Sequence, residues 1–304
     1  MKSFILKIIL FLAIIFVCDF VIGKCFDAIA SRSVVTDYGR DNHICNTGDE
    51  DLLVFGSSRG VHHFNTVMMS DSLGISCYNC SEDGQGIILN YGRLLMYAQH
   101  HKPKVIIYDF MPNFDLASRD NHRFLKWLKP HCDREGIMDL ICSVDSTERY
   151  KLGSRIYRYN SDVLLLLASL RHIQDAGDTT RGFAPTNGIM TAQKKAALQH
   201  ANVLTEPLVP DSLKLRYFEQ FFSSFQDTKI IVTVSPTWDG MDHARIQPIE
   251  DLCNRYNIRF LDFSNSPKYL RRDSIFVDNT HLNEKGAAEF TQDIIKLLRS
   301  ELGL

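Results

Sequence analysis

The 304-residue chain has no long basic run and almost no net charge, −2 from 34 Lys and Arg against 36 Asp and Glu. Nucleic-acid binding needs clustered positive charge, so no nucleic-acid partner is expected. There is no internal repeat and no low-complexity tract. No metal-ligand pattern is visible either. Cys77 and Cys80 form a single C-x-x-C, without the second pair or His pair that a zinc site shows at ligand spacing. Neither a metal nor another cofactor is therefore expected. The eight cysteines leave the compartment open. Cys132–Cys142 is the disulfide they suggest, with buried thiols as the alternative for most of them. No lipobox precedes Cys18 or Cys25, which follow Val17 and Lys24.

Hydrophobic residues make up 45% and charged residues 23%, an ordinary globular balance for one large domain or two small ones. The N-terminus stands apart. "MKSFILKIILFLAIIFVCDFVIGK" carries Lys2 and Lys7, then an uncharged run from Ile8 to Cys18. So short a run fits a signal-peptide core, with Val21 and Gly23 as cleavage flanks. Counted from Phe4 to Ile22, it approaches the ~20 residues of a spanning helix. Lys7 would then snorkel and Asp19 would lie near the far interface. A buried globular helix is a third reading. The uncleaved anchor is preferred, with the signal segment as the alternative. Lys2 and Lys7 place the N-terminus inside and the remaining chain outside. Residues 1–23 thus read as an anchor or signal segment and 24–50 as a polar juxtamembrane linker. Residues 51–304 read as the globular domain.

Five apolar runs read as buried strands: Leu52–Phe55, Ile75–Tyr78, Val105–Tyr108, Ile230–Val234 and Phe260–Phe263. Each is continuous, as in parallel strands covered on both faces. Helical patterns lie between them. Leu213, Tyr217, Phe221 and Phe225 share one face after a cap at Asp211 or Ser212. In the last segment Ala287, Phe290, Ile294 and Leu298 line one side behind an N-cap at Asn283. Strands alternating with helices predict a three-layer α/β/α sandwich on a five-stranded parallel sheet. A mostly helical insertion spans about 115–228. It contains "SDVLLLLASLRHI" and the loop "DAGDTTRGFAPTNG".

Open α/β sheets bind ligands beyond the carboxyl ends of their strands. Gly56-Ser57-Ser58-Arg59-Gly60 follows the first run, a glycine-rich loop with Gly84 and Gly86 the second, Asn113 the third and Trp238 the fourth. Asp278 and His281 precede the last helix. A serine hydroxyl needs a base within hydrogen-bond reach. His281 is the candidate, and of the eleven histidines it alone has an Asp three residues earlier. Asp278 would fix its tautomer. The N–H of Ser58, an N–H of Gly84 or Gly86, and the Asn113 amide are candidate oxyanion donors.

On these blocks the chain resembles the SGNH/GDSL hydrolases from Asp51 to Leu304. Gly56-Ser57-Ser58 resembles the nucleophile block, with Ser57 in place of the family's Asp. Asp278 and His281 resemble the terminal block, Gly84 the second and Asn113 the third. The resemblance implies a flavodoxin-like sheet and a serine esterase that removes ester-linked acyl groups. It implies an acylated small molecule or glycan as substrate, in exported members often the O-acetyl groups of surface polysaccharide. A non-catalytic binding or assembly protein and an O-acyltransferase remain as alternatives. Gly56-x-Ser58-x-Gly60 also matches the α/β-hydrolase elbow, but no earlier strands precede it.

Other residues have two readings. Arg59 would bind a substrate anion, or pair with Asp109 or Asp115. Trp238 would stack on a sugar, or cover the sheet. His62 and His63 read as bystanders to the chemistry. The "NCS" at Asn79 is a formal glycosylation sequon, discounted for its position.

Overall fold

The computed structural model describes residues 1–34, 37–118, 121–160, 162–172, 177–201 and 208–303. Ser161 and Ile173 of the leucine-rich segment, and Asp175 and Ala176 of the loop after it, lie outside the described residues. The chain divides into two compact units, one of Met1–Thr47 with His122–Thr179, the other of Gly48–Asn121 with Thr180–Leu304.

The second unit holds the sheet. Its strands are β1 (Leu52–Gly56), β2 (Cys77–Asn79), β3 (Val105–Asp109), β4 (Lys229–Val234) and β5 (Arg259–Asp262). All pair in parallel, in the order β2-β1-β3-β4-β5. That order places a topological switch at β1, whose carboxyl end abuts the tips of both β2 and β3. Helices cover both faces, which is the three-layer α/β/α sandwich expected. Side chains alternate across β1. Leu52 and Val54 join Phe64, Met69, Phe290 and Ile294 in a buried layer beneath the helices Thr66–Leu73 and Glu284–Leu302. Phe55 points the other way, to Phe221, and Tyr108 meets Phe218 at 5.2 Å between ring centres. Helix Ser212–Ser224 supplies that aromatic face, capped by Asp211, which accepts from the Leu213 N–H at 2.8 Å. The last helix is capped by Asn283, whose Oδ1 accepts from the Gly286 N–H at 3.0 Å. β5 is an edge strand and carries exposed Arg259 and Asp262, charges that discourage further pairing.

The first unit is helical among its described residues. One helix runs unbroken from Lys2 to Ala30. It is long and apolar enough to cross a membrane, with a mean hydropathy of 2.9 over its best window. That is the composition of a membrane anchor and of a signal sequence alike. Beyond Cys18 its character changes. Asp19 accepts from the backbone N–H of Arg155 at 2.8 Å and of Ile156 at 3.2 Å. Asp27 accepts from Arg155 Nη1 at 3.0 Å and from the Tyr159 hydroxyl at 2.9 Å. Gly23 is buried against the Arg155 side chain, where a Cβ has no room.

Within residues 24–50, read from the sequence as a linker, several side chains are enclosed. Tyr38, Ile44 and Cys45 are buried there, and Tyr38 packs edge-on against Trp127. In the region read as an insertion, the described residues from Thr180 onward group with the sheet. Cys132 and Cys142 are not joined in the structure, and all eight cysteines are free thiols in it.

Candidate active site

β1 ends at Gly56, and Ser57 is the N-cap of the helix Ser58–His63. Ser58 is therefore the first helical residue beyond a central strand. Two glycines make this turn possible by close approach. A Cβ on Gly56 would lie 2.9 Å from the Asp109 carbonyl oxygen, and one on Gly60 would strike the Ser81 side chain.

Ser58 Oγ lies 2.7 Å from His281 Nε2. His281 Nδ1 lies 2.9 Å from Asp278 Oδ2 and 3.0 Å from Oδ1. The three-residue spacing works through a tight turn. Asp278 Oδ1 also accepts the backbone N–H of Thr280 at 2.8 Å and of His281 at 2.9 Å. These bonds fold the carboxylate back onto its own histidine. An antiparallel bridge between Phe276 and Leu282 closes the loop. Burial opposes the charge on Asp278, but the hydrogen bond and charge of His281 and the two N–H groups outweigh it. The carboxyl is held down at about 2. A carboxylate at Nδ1 keeps the ring proton there, so the Nε2 lone pair faces the serine hydroxyl, as a general base requires.

The histidines after Ser58 have different tasks. The Leu282 N–H donates to His63 Nε2 at 2.9 Å, tying the His281 loop to the helix Ser58–His63. His63 is buried, and desolvation together with the nearby charges of His281 and Arg59 holds its imidazole well below the usual value. It is thus a neutral acceptor. His62 meets the His281 ring edge-on at 5.8 Å, and its Nδ1 lies 2.6 Å from the Ala184 carbonyl oxygen.

Arg59 turns inward. Its side chain is buried, with Nε 3.3 Å from Asp109 Oδ2. Its Nη2 donates to the Phe110 carbonyl. A buried, paired guanidinium offers nothing to a substrate, so the substrate-binding reading of Arg59 gives way to the pairing reading, with Asp109 as partner. Ser235 completes the cluster, donating to Asp109 Oδ1 from its N–H at 2.9 Å and its hydroxyl at 2.6 Å.

Asn113 lies in the turn Pro112–Asp115 beyond β3. Its Oδ1 accepts from Arg245 Nη2 at 2.6 Å, which leaves the amide N–H groups as its donors. Gly84 adopts the left-handed conformation, φ 66°, in the loop after β2. Gly86, the alternative in that block, begins the helix Ile87–Tyr97 in close approach to the Phe114 carbonyl oxygen. Asp115 bridges the two loops. It accepts from the Ile87 N–H at 2.8 Å, the Met111 N–H at 2.7 Å and the Tyr108 hydroxyl at 2.6 Å. Trp238 packs on the core beside β4, with its indole N–H donating to Asp273 at 3.0 Å. That matches the covering role rather than sugar stacking. Asn79 is buried and donates to the Gly60 and Phe64 carbonyls, so the sequon is closed.

The structure therefore joins Ser58, His281 and Asp278 in one hydrogen-bonded chain. It adds His63 and Arg245, which sequence reasoning missed. His63 was visible as a histidine just after Ser58, but its acceptor role depends on a loop 219 residues away. Arg245 had no signal, being 132 residues from Asn113.

No family model matches the sequence, and no curated protein matches it. Solved structures with a similar fold include a carbohydrate esterase family 2 enzyme with a carbohydrate-binding domain from Corynascus thermopiles (Myceliophthora fergusii). It is 10% identical, with 83% of this chain and 66% of that chain covered and a TM-score of 0.41. A family two carbohydrate esterase from Clostridium thermocellum, in complex with cellohexaose, is 12% identical, covering 83% and 64% at a TM-score of 0.36. An acetyl xylan esterase from the rumen bacterium Butyrivibrio proteoclasticus is 11% identical, covering 83% and 64% at 0.36. The chain spans no more than 66% of the length of any of these three.

Proposed function

We propose that the protein is a serine esterase that removes ester-linked acyl groups, O-acetyl groups of a surface polysaccharide above all. The hydrogen-bonded chain from Ser58 through His281 to Asp278 carries this reading. Ser58 Oγ attacks the ester carbonyl as His281 Nε2 takes its proton. Asp278 holds the ring and stabilises the imidazolium that forms. The Ser58 N–H, the Gly84 N–H and the Asn113 amide receive the oxyanion. The imidazolium then protonates the leaving alcohol. Water, deprotonated by the same nitrogen, releases the acid. The glycan half of the reading rests on the resemblance to exported SGNH/GDSL hydrolases.

In this reading the N-terminal helix stays attached, as an anchor that holds the catalytic unit on the non-cytoplasmic side. Cleavage near Gly23 would cut a continuous helix and remove Asp19 from the Arg155 and Ile156 N–H groups. Lys2 and Lys7 set the orientation. The intact mass of the membrane-extracted protein is expected to include residues 1–23, and a mass lacking them overturns the anchor.

A fluorophosphonate probe tests the catalytic reading. Wild type is expected to be labelled at Ser58 and to hydrolyse an aryl acetate. Ser58→Ala and His281→Ala are expected to lose both properties. Equal labelling of wild type and Ser58→Ala overturns the assignment.

A further inference from the structure

The helical unit brings together three side chains of a different chemistry. Asp41 lies in the last turn of the helix Asp37–Asn42, and Cys45 lies in the wider π-helical turn His43–Thr47 that continues it. His131 lies in the short turn Lys129–His131. One ligand atom from each, a carboxylate oxygen, the thiol sulfur and a ring nitrogen, all fall within 4.8 Å of one another. Asp41 and Cys45 are buried, and His131 is mostly so.

We propose that Asp41, Cys45 and His131 form a binding site for a divalent transition metal of the zinc class, with a fourth position open to a cavity. The donor set selects the metal. One thiolate, one imidazole and one carboxylate suit a borderline ion such as zinc, whereas magnesium and calcium take oxygen ligands. Three protein ligands leave a tetrahedral ion one vacant corner. A cavity of about 220 Å³ is walled by Asp41 and His131, together with Asn46 and Arg134, and gives that corner room for water or a small anion. Irregular π turns recur at functional sites, and Cys45 lies in one here.

The local geometry needs little change. His131 Nε2 lies 2.5 Å from Asp41 Oδ2, a hydrogen bond with the proton between them. An ion replaces that proton. With bonds of about 2.0–2.1 Å the two atoms part to roughly 3.3 Å, a side-chain adjustment of about 0.8 Å. Binding also displaces the thiol proton of Cys45. The thiol proton passes to solvent and the Nε2 proton passes to Nδ1 of the same ring or to solvent, so the ligands are then a thiolate, a neutral imidazole and a carboxylate.

A second cluster, His122 with Asp145 and Glu148, makes a contrast. There Lys151 lies 3.1 Å from Asp145 and 3.0 Å from Glu148, and Lys129 lies 3.1 Å from Glu148. Ammonium groups already supply the positive charge. Ligand spacing in the sequence hid the first cluster, because its ligands come from segments far apart in the chain.

The test is a titration of the detergent-solubilised, EDTA-stripped full chain with Co²⁺. One equivalent is expected to bind, to produce a thiolate-to-cobalt charge-transfer band, and to be displaced by Zn²⁺. Cys45→Ser is expected to abolish the band and Cys132→Ser to keep it. His131→Gln and Asp41→Asn are expected to weaken binding by more than about a hundredfold, beyond the 10–100-fold typical of a lost outer partner. These two variants serve as the readout if Cys45→Ser fails to keep its helical circular dichroism. Absence of a stoichiometric band, a band that survives Cys45→Ser, or unchanged affinity in both other variants overturns the site.

Discussion

Arg59 Nε lies 3.3 Å from Asp109 Oδ2, and both side chains are buried. The pair fixes the start of the helix Ser58–His63 to the tip of β3, where Gly56 stands in register with Asp109. Burial pushes the Asp109 carboxyl up, against the pull of Arg59 and Ser235. Attraction and desolvation nearly offset each other in such a pair. Removing one partner strands a charge and costs about 3–5 kcal/mol, while removing both costs far less. Arg59→Met is expected to lower the unfolding free energy by that amount in urea titration. The double variant Arg59→Met/Asp109→Leu is expected to lose clearly less than the sum of the two single losses. Additive losses would show that the pair does not couple.

Arg245 holds the side chain of Asn113. Its 2.6 Å bond to Oδ1 turns the amide N–H groups to the other side. If Asn113 receives the oxyanion, Asn113→Ala is expected to lower kcat on an aryl acetate by about 10²–10³-fold with little change in KM. Arg245→Ala leaves the amide present but unheld, so a loss of roughly tenfold in kcat is expected. The double variant should match Asn113→Ala alone. An Arg245→Ala loss that persists in the Asn113→Ala background overturns the positioning role.

Much of the sheet was legible because parallel strands buried on both faces are continuous apolar runs. The ends were less so. β2 was expected at Ile75–Tyr78 and lies at Cys77–Asn79, because a buried asparagine reads as loop until its amide is seen serving the Gly60 and Phe64 carbonyls. Ser58, Asp278 and His281 were legible because strand tips and a local three-residue spacing are sequence properties. Arg245, His63 and the burial of Tyr38, Asp41, Ile44 and Cys45 were not. Each depends on a partner far along the chain. A polar stretch rich in Asp, Asn and Gly reads as a linker whether its polar groups face water or, like Asp41, a buried histidine.

Asp115 makes a separate prediction. Its carboxylate serves three donors from two loops, and Asp115→Ala orphans all three. At about 1–3 kcal/mol for each buried unsatisfied group, the loss is expected to exceed roughly 3 kcal/mol. Burial pushes this carboxyl up to about 6, against the opposing hydrogen bonds of Tyr108 and Met111 and the charge of Lys214. Ionisation is therefore costlier folded than unfolded. That contribution favours the fold most below pH 3.8, declines as pH rises through about 6, and is constant above. Denaturant titrations between pH 4 and 6 should show this decline in wild type, and Asp115→Asn should flatten it. An equal slope in both overturns the assignment.

Asp278 has the opposite sign. With its carboxyl held down at about 2, its contribution to stability is complete above pH 3.8 and is lost as pH falls through about 2. It is half-exposed, so the effect on unfolding is small, and activity is the better readout. Asp278 remains ionised across pH 4–8, so no step in kcat/KM over that range reports its titration. Replacing it tests its role directly. Asp278→Asn keeps the shape of the turn, but its amide N–H can face Nδ1 and move the ring proton to Nε2. The nitrogen 2.7 Å from Ser58 Oγ then has no lone pair with which to take the serine proton. A kcat loss on the order of 10⁴ is expected, with an unchanged circular dichroism spectrum and a matching fall in the rate of fluorophosphonate labelling. Wild-type rates in Asp278→Asn would mean that His281 needs no carboxylate to orient it, and the proposed relay would reduce to a serine and a histidine.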